Sequence, residues 1–507
     1  MANDAVVIMQ AQNTSLTDGA TPDTGYDRPV VIVNTLRLDQ IQVLDGGKQV
    51  VSLPGGTLSQ LERLLKPLGR EPHSVIGSSC VGASIVGGVC NNSGGALVRR
   101  GPAYTELALY AQVTADGALE LVNHLGIRLG ETPEEILTRL QDADYSPTDV
   151  EHGARPASDR GYSDRVRDID APTAGRYNSD PSRLFEASGS AGKLCVFAVR
   201  LDTFPADPDP VVYYLGTNKP DVLTAVRRLL LGRMKQLPIE GEYIHRGYFD
   251  ICHRYGRDPF LLVHFLGPEV MPQFLAIKRT LDAYVGSVKF LPSNLVDRLL
   301  QWVSAVFPET LPKRVRDFRQ RYDHHLMLKV SQESAADTEA ILSSLLGDDQ
   351  GGWFRCTPDE GERAFLNRFV AGMAITRYRA LHQREMGGVL SLDVALRRND
   401  NDWHTLFPPE ISENFQAELH CAHFFCHVFH ESYVVRKGVN IAALKARMLE
   451  HLEVRGAQYP AEHNVGHQYV AKPAQVAFYR QLDPTNAMNP GIGKTTKLKH
   501  WRLSNEA

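Results

Sequence analysis

No apolar run in this chain approaches the roughly 20 residues that a membrane span needs, so any membrane contact is expected to be peripheral. Cysteine is scarce: seven in 507 residues, an odd number with no CxxC pair. That excludes a disulfide framework and fits a reducing, cytosolic setting. A basic excess is missing as well. Lysines and arginines number 55 against 59 acidic residues, for a net charge of −4, and nucleic acid is not an expected partner. The opening "MANDAVVIMQ" shows no basic n-region and no cleavage signal, so no secretory peptide is expected. Internal repeats and low-complexity segments are absent. Two phosphate-binding motifs also fail. Residues 77–95 contain no GxGxxG, and "NPGIGKTTK" carries Met488 where a Walker A loop needs its first glycine.

What is present is an ordinary globular composition, 43% hydrophobic and 22% charged, over a length that predicts two or three domains. The first segment alternates β-branched runs with turns, "AVVIM" and "RPVVIVNTLRLDQIQVLDGGKQVVSLPGG", and its Asp-Gly-Gly predicts a hairpin. In "TLSQLERLLKPLG", Leu58, Leu61, Leu64 and Leu65 share a helical face, with Thr57 placed to cap it. Residues 151–180 are polar and read as a surface excursion, and "PADPDP" marks a boundary. Beyond it, "VVYYLG" with "PDVLTAVRRLLLG" and "HHLMLKVS" with "ADTEAILSSLLG" repeat a strand–helix pattern, and "GVLSLDVAL" and "HFFCHVFHESYVV" read as further strands. The pattern predicts an α+β sheet domain. Residues 245–321, helical and aromatic, read as an insertion.

Three segments are rich in small hydrogen-bonding residues: "QAQNTSLTDGA" (10–20), "GSSCVGASIVGGVCNNSGG" (77–95) and "SGSAGKLCVFAV" (188–199). Each alone reads as a turn; together they can turn backbone N–H groups toward a diphosphate. In this order they resemble the FAD-binding domain of the vanillyl-alcohol-oxidase type. With "TAGRYNSDPSRLFEASG", "ALRRNDNDW" and "GAQYPAEHNVGH", the chain resembles the bacterial respiratory, quinone-linked D-lactate dehydrogenases over nearly its whole length.

That resemblance implies a vanillyl-alcohol-oxidase/PCMH-type FAD domain over 1–203, completed by 455–507. It also implies an antiparallel-sheet cap over 204–244, 322–360 and 385–454, and a membrane-binding insertion over 245–321 and 361–384. It further implies FAD, oxidation of D-lactate to pyruvate, transfer of electrons to a membrane quinone, and peripheral attachment at the cytoplasmic face of the inner membrane. By the family's pattern the FAD contacts fall on Ala11, Gln12, Asn13, Thr14, Ser15, Gly19, Ala20, Gly77, Ser84, Gly94 and Val196. Neither "QAQNTSLTDGA" nor "VIGSSC" places a histidine or tyrosine for attachment, and Cys80 is the one nucleophile there, so non-covalent FAD is expected. Family members carry a further strand–helix unit ahead of the first strand. The chain as written is therefore expected to leave a sheet edge uncovered and to hold FAD weakly, and an upstream start is expected.

Within this frame "AEHNVGH" is similar to an EHGIG motif that puts His463 at the place of the catalytic base. An imidazole suits removal of a hydroxyl proton at neutral pH. "HFFCHVFH" holds His423, His427 and His430. On a helix 423 and 427 would share a face; on one regular strand 423 and 430 would point oppositely. Their His-x6-His spacing is similar to that of related dehydrogenases in which both histidines, with a glutamate matching Glu462, hold a divalent metal; here aromatic residues and cysteine replace the intervening GDGN. Buried structural histidines are the alternative reading. A carboxylate substrate calls for a guanidinium. Arg377 aligns with the family's substrate-side arginine, and Arg397 and Arg398 are further candidates. The basic run "LPKRVRDFRQRY" (Lys313, Arg314, Arg316, Arg319, Arg321) is expected to meet an anionic membrane surface. A metal-dependent FAD dehydrogenase for another D-2-hydroxy acid, such as 2-hydroxyglutarate, is the rival activity.

Overall fold

The computed structural model describes residues 4–74, 82–153, 155–288, 290, 292, 294–347 and 349–503. Short β-branched segments build the first part: β1 (Val6–Gln10), β2 (Val30–Asn34), β3 (Ile41–Leu44), β4 (Gln49–Ser52), β5 (Arg70–Glu71), β6 (Ala108–Val113), β7 (Leu119–Asn123), β8 (Cys195–Asp202) and β9 (Phe204–Pro205). β1 and β2 run parallel. Five strands form an antiparallel sheet in the order β3-β4-β8-β6-β7. The Asp45–Gly47 turn joins β3 to β4 with all three residues at positive φ, which is why two of them are glycine. Helix α1 (Leu58–Leu65) is capped by Thr57, whose hydroxyl accepts the Gln60 N–H. It buries Leu58, Leu61 and Leu65 against Val50, Ile85 and Val196, whereas Leu64, expected on that face, is exposed. Helices α2 (Ile85–Cys90), α3 (Pro133–Asp142) and α4 (Tyr162–Arg167) complete this part. Residues 151–180 depart from the predicted surface excursion: Tyr162, Val166 and Arg176 are all buried. The polar composition of that stretch hides these three anchors.

A second sheet has seven strands, β10 (Pro210–Thr217), β11 (Glu240–His245), β12 (His324–Ser331), β13 (Gly352–Arg355), β14 (Gly388–Ala395), β15 (Phe415–His423) and β16 (Val428–Val435). Their order is β13-β10-β12-β11-β15-β16-β14, antiparallel throughout. Helices α5 (Pro220–Arg233) and, later in the chain, α11 (Ala335–Leu345) bury Leu223, Leu230 and Leu342 with Tyr213, Leu328 and Trp403 on one face. On the other, α6 (Arg246–Tyr255), α12 (Pro358–Phe369) and α13 (Ala371–His382) place Phe249, Cys252, Ala364 and Ala374 against Tyr214, Met327 and Val434. The chain then returns to its beginning. Met488 bridges Val7, and the Asn489 amide donates to the carbonyls of Gly19 and Ala191, 2.9 Å each. One side chain thus ties the 10–20 loop to the 188–199 loop.

Helices α7 (Arg257–Leu266), α8 (Met271–Ser287), α9 (Leu295–Ala305) and α10 (Lys313–Arg321) lie in the segment 245–321 expected as an insertion, whereas most of α6, α12 and α13, expected in the insertion too, packs on the second sheet. The basic charges of α10 are largely paired within the protein. Arg314 forks onto Glu360, Arg319 onto Asp250, and Lys313 lies 2.8 Å from Asp317. Arg316 stands 4.0 Å from Glu309. Apolar side chains face outward instead. Phe265 is 71% exposed, Ile277 62%, Tyr284 71% and Trp302 70%, with Leu266, Leu281, Leu299 and Val306 beside them in sequence and also exposed. Among the described residues no helix is long and apolar enough to cross a membrane.

Candidate active site

The segment "HFFCHVFH" is neither one helix nor one strand. β15 ends at His423, residues Phe424–Cys426 make a tight turn, His427 takes a left-handed φ of 57°, and β16 begins at Val428. The sequence signals this hairpin poorly because its turn has no glycine or asparagine; histidine, tolerated in the left-handed region more than most residues, stands there instead. Cys421 pairs with His430 and His423 with Val428. The two outer histidines therefore lie diagonally on one face, ring centroids 4.8 Å apart. His427, the third, is buried elsewhere, its Nδ1 2.8 Å from the Arg397 carbonyl.

Asp393 on β14 sits directly opposite His430 and organises the rest. Its Oδ2 accepts the backbone N–H groups of Glu462 (2.7 Å) and His463 (2.8 Å), and its carbonyl accepts that of Ala461. The same Oδ2 lies 3.1 Å from His463 Nδ1, and Oδ1 lies 3.3 Å from His430 Nδ1. His463 thus has one nitrogen fixed and turns Nε2 away from the carboxylate. Burial disfavours the charged imidazole, but Asp393 outweighs it and raises the His463 pKa above its ordinary value.

Glu462 faces both hairpin histidines, its Oε2 3.2 Å from His423 Nε2 and 3.7 Å from His430 Nε2. Burial raises the Glu462 pKa, yet the Arg176 guanidinium, paired with it in the interior, and then His423 hold it at about 2. His423 Nδ1 lies 2.5 Å from Glu242 of β11. Against burial, Glu242 and Glu462 lift the His423 pKa to about 10, so the point between these carboxylates calls for a positive charge. Glu242 also lies 3.0 Å from Arg368 Nε. Arg368, whose Nη2 is buried without a hydrogen-bond partner among the described residues, lines the same cavity.

That cavity measures about 2130 Å³ and runs between the two sheets and the insertion. Ala11, Gln12, Asn13, Thr14, Ser15, Gly19, Ala20, Ser84, Gly94 and Val196 all line it, as do His423, His430, Glu462 and His463. Gly77 and Cys80 lie outside the described residues. The loop around Gly19 is held by Asn464, whose Oδ1 accepts from Thr17 and Ser15. A Cβ at Gly19 would overlap Asn464, and one at Gly94 would overlap Glu462. Both positions therefore need glycine for close approach.

The candidate arginines separate. Arg377 lines the cavity but is buried in an ion pair with Asp258 (Nη2 to Oδ2 2.9 Å), with Asp297 3.5 Å from its Nε. Arg398 is not among the lining residues; it donates to Thr173 and to the Arg165 carbonyl. Sequence reasoning passed over Asp393, Arg368, Glu242 and Arg176. Two had a visible signal: an aspartate at an inward position of "LSLDVAL", and an arginine on the apolar side of α12, where Ala364, Leu366 and Arg368 are buried together.

Residues 212–501, more than half of the chain, match the family described as "D-lactate dehydrogenase, membrane binding". The quinone-dependent D-lactate dehydrogenase of Escherichia coli K12 is 54% identical over 500 residues, spanning 98% of this chain and 88% of that protein. The enzyme of the same description from Corynebacterium glutamicum is 43% identical over 502 residues, with the same coverage of both chains. Among solved structures, p-cresol methylhydroxylase superposes with a TM-score of 0.54 at 13% identity, covering 97% of this chain and 84% of its own. Alkyldihydroxyacetonephosphate synthase does so with 0.52 at 10%, covering 96% and 72%; at such identities these two speak for the fold alone. The likeness to the dehydrogenases runs through both sheets, the insertion and the returning segment alike, and the chain belongs to the family of quinone-dependent D-lactate dehydrogenases.

Proposed function

We propose that this protein oxidises D-lactate to pyruvate in the cavity beside the histidine–carboxylate cluster and passes the electrons to a membrane quinone. One observation carries the assignment of roles: His463, its Nδ1 fixed by Asp393 and its other nitrogen left free, lines the same cavity as the three small-residue loops. FAD fits those loops. They are built of small side chains, need glycine at Gly19 and Gly94, and border a space larger than the 300–1,000 Å³ of ordinary small-molecule pockets. When bound without a covalent link, FAD supplies a two-electron acceptor for the hydride on C2 of lactate. His463 Nε2 takes the hydroxyl proton, and Asp393 stabilises the imidazolium that results. Arg368, which lines the cavity beside Glu242, is the guanidinium that suits the substrate carboxylate. Arg377, already committed to Asp258, holds α13 to α7. One guanidinium at this end of the cavity suits a monocarboxylate over 2-hydroxyglutarate. The test is anaerobic: D-lactate, and not L-lactate or 2-hydroxyglutarate, is expected to bleach the flavin of the purified holoenzyme rapidly. Equal bleaching by 2-hydroxyglutarate would favour the rival activity.

The ligand geometry supports a second component, a divalent cation. His423, His430 and Glu462 bring one ligand atom each to within 4.8 Å of one another. Both histidines keep Nδ1 against a carboxylate and turn Nε2 to Glu462, the orientation usual for metal-bound imidazoles. Charge agrees. Asp393, Glu242 and Glu462 against Arg176 and Arg368 leave one negative charge; a divalent ion reverses it, and a bound lactate then neutralises the site. Metal analysis is expected to find one divalent ion per chain. Dialysis against a chelator is expected to slow flavin bleaching about tenfold or more, with recovery on adding a divalent ion. An unchanged rate in metal-free protein would leave a proton on His423 in the cation's place.

Membrane attachment, on this reading, rests on the apolar outer face of α7 to α9. Tyr284 and Trp302 sit where interfacial aromatics are favoured. Anionic headgroups meet Arg254, Arg257 and Arg298, which line a groove of about 590 Å³ beside Trp302. The α10 cations, paired within the protein, contribute less.

A further inference from the structure

The cavity has two ends of opposite character. Around Asp393, Glu462, His463 and Arg368 it is polar. Between α7, α8, α12 and α13 its walls carry an apolar strip, Tyr255, Val263, Phe274, Leu275, Phe369 and Met373, beside charged groups that are largely paired, Lys278 with Asp297 and Arg377 with Asp258. Helix α8 carries large apolar side chains on both sides, with Lys278 between them held 2.8 Å from Asp282 and 3.2 Å from Asp297. Phe274 and Leu275 line the cavity, while Ile277, Leu281 and Tyr284 are exposed on the outer surface. Among the described residues nothing covers the outer apolar side chains of α8, which suits them to lipid. Monomeric soluble proteins rarely leave so many large apolar side chains uncovered in one place.

We infer that the apolar arm under α8 is the port through which a lipid-soluble quinone reaches the reaction centre from the bilayer. This rests on the proposed oxidation of D-lactate in the same cavity. Lactate, a small anion, is suited to the polar end, which carries Arg368 and His463; a quinone with a polyprenyl tail needs a path that never crosses water. With the outer face of α8 in the acyl region, its inner face continues that phase into the protein. The exchange balances with no further reactant: lactate loses its C2 hydride and its hydroxyl proton to become pyruvate, and the quinone gains two electrons and two protons to become a quinol. Arm and polar end thus let donor and acceptor approach by separate routes.

Filling the arm tests this in the holoenzyme on vesicles that carry a long-tailed ubiquinone. Val263→Trp and Met373→Trp, made separately, are each expected to slow reduction of that quinone about tenfold or more, a loss worth about 1.4 kcal/mol. Flavin bleaching by D-lactate, turnover with a water-soluble dye and co-sedimentation with vesicles should stay within about twofold of wild type. A tailed aryl-azide quinone, photolysed on the wild-type protein, is expected to label peptides covering 255–275 and 365–376. Wild-type quinone reduction by both variants, or labelling confined to other peptides, overturns the port. Should both variants misfold, the labelling pattern on the wild type decides alone. Failure of the underlying reading is seen earlier and separately, as flavin that D-lactate does not bleach before any quinone is added.

Discussion

In protein carrying His463→Ala, D-lactate is expected to bleach the flavin roughly 10² to 10⁴ times more slowly than in wild type, the usual contribution of a positioned general base. Melting temperature and flavin content should stay unchanged. The side chain is 39% exposed toward the cavity, so its loss opens no sealed hole in the core. Asp393 keeps its two backbone donors, the N–H groups of residues 462 and 463, whatever side chain stands at 463. A purely structural role would show the reverse pattern, lower FAD content with a near-normal rate per flavin. His463→Gln preserves size and hydrogen bonding but cannot take up a proton, and should be as slow as the alanine variant. Near-wild-type bleaching in either one removes His463 from the mechanism.

The second large effect concerns membrane attachment. Phe265, Ile277, Tyr284 and Trp302 are all more than half exposed, so replacing them by serine leaves the folded interior intact. Each side chain that passes from water into the acyl boundary contributes about 1.5 kcal/mol. The four together amount to about 6 kcal/mol, or roughly 10⁴ in partition coefficient. The fourfold serine variant is therefore expected to stay in the supernatant with neutral phosphatidylcholine vesicles that sediment the wild type. Dye-linked turnover should continue, because the histidine cluster lies in another part of the fold. Replacing Arg254, Arg257 and Arg298 should weaken binding to anionic vesicles alone, and the loss should shrink as salt is added. If the serine variant binds neutral vesicles like the wild type, the apolar face is not the attachment surface.

Much of this was legible before any coordinates. The small-residue loops announce themselves by composition, and the Asp-Gly-Gly hairpin and the Thr57-capped helix are local patterns that local physics decides. His423, His430 and Glu462 were grouped by resemblance to related dehydrogenases, and the fold does bring them together. What stayed hidden depends on partners far along the chain. The basic run at 313–321 reads as a free cationic face until Asp250, Glu309 and Glu360 are seen beside it. Arg377 reads as a ligand arginine, but Asp258 faces it from 119 residues away. Burial of Arg176 within a polar stretch, and a hairpin turning on a histidine, break the compositional rules for the same reason. Tertiary contacts satisfy there what the local sequence does not.

Asn489 clamps Gly19 from 470 residues away, and this sets an order of events during synthesis. At about 5 to 20 residues per second, the first cofactor loop leaves the ribosome some 20 to 90 seconds before the side chain that fixes it. Glu462 and His463 are also made late, long after the hairpin and the Arg176 segment they must meet. On the proposed roles, the growing chain until then lacks both His463 and the clamp on its first small-residue loop, and is expected to take no electrons from lactate. On that reading, turnover is expected only from chains whose translation has nearly finished.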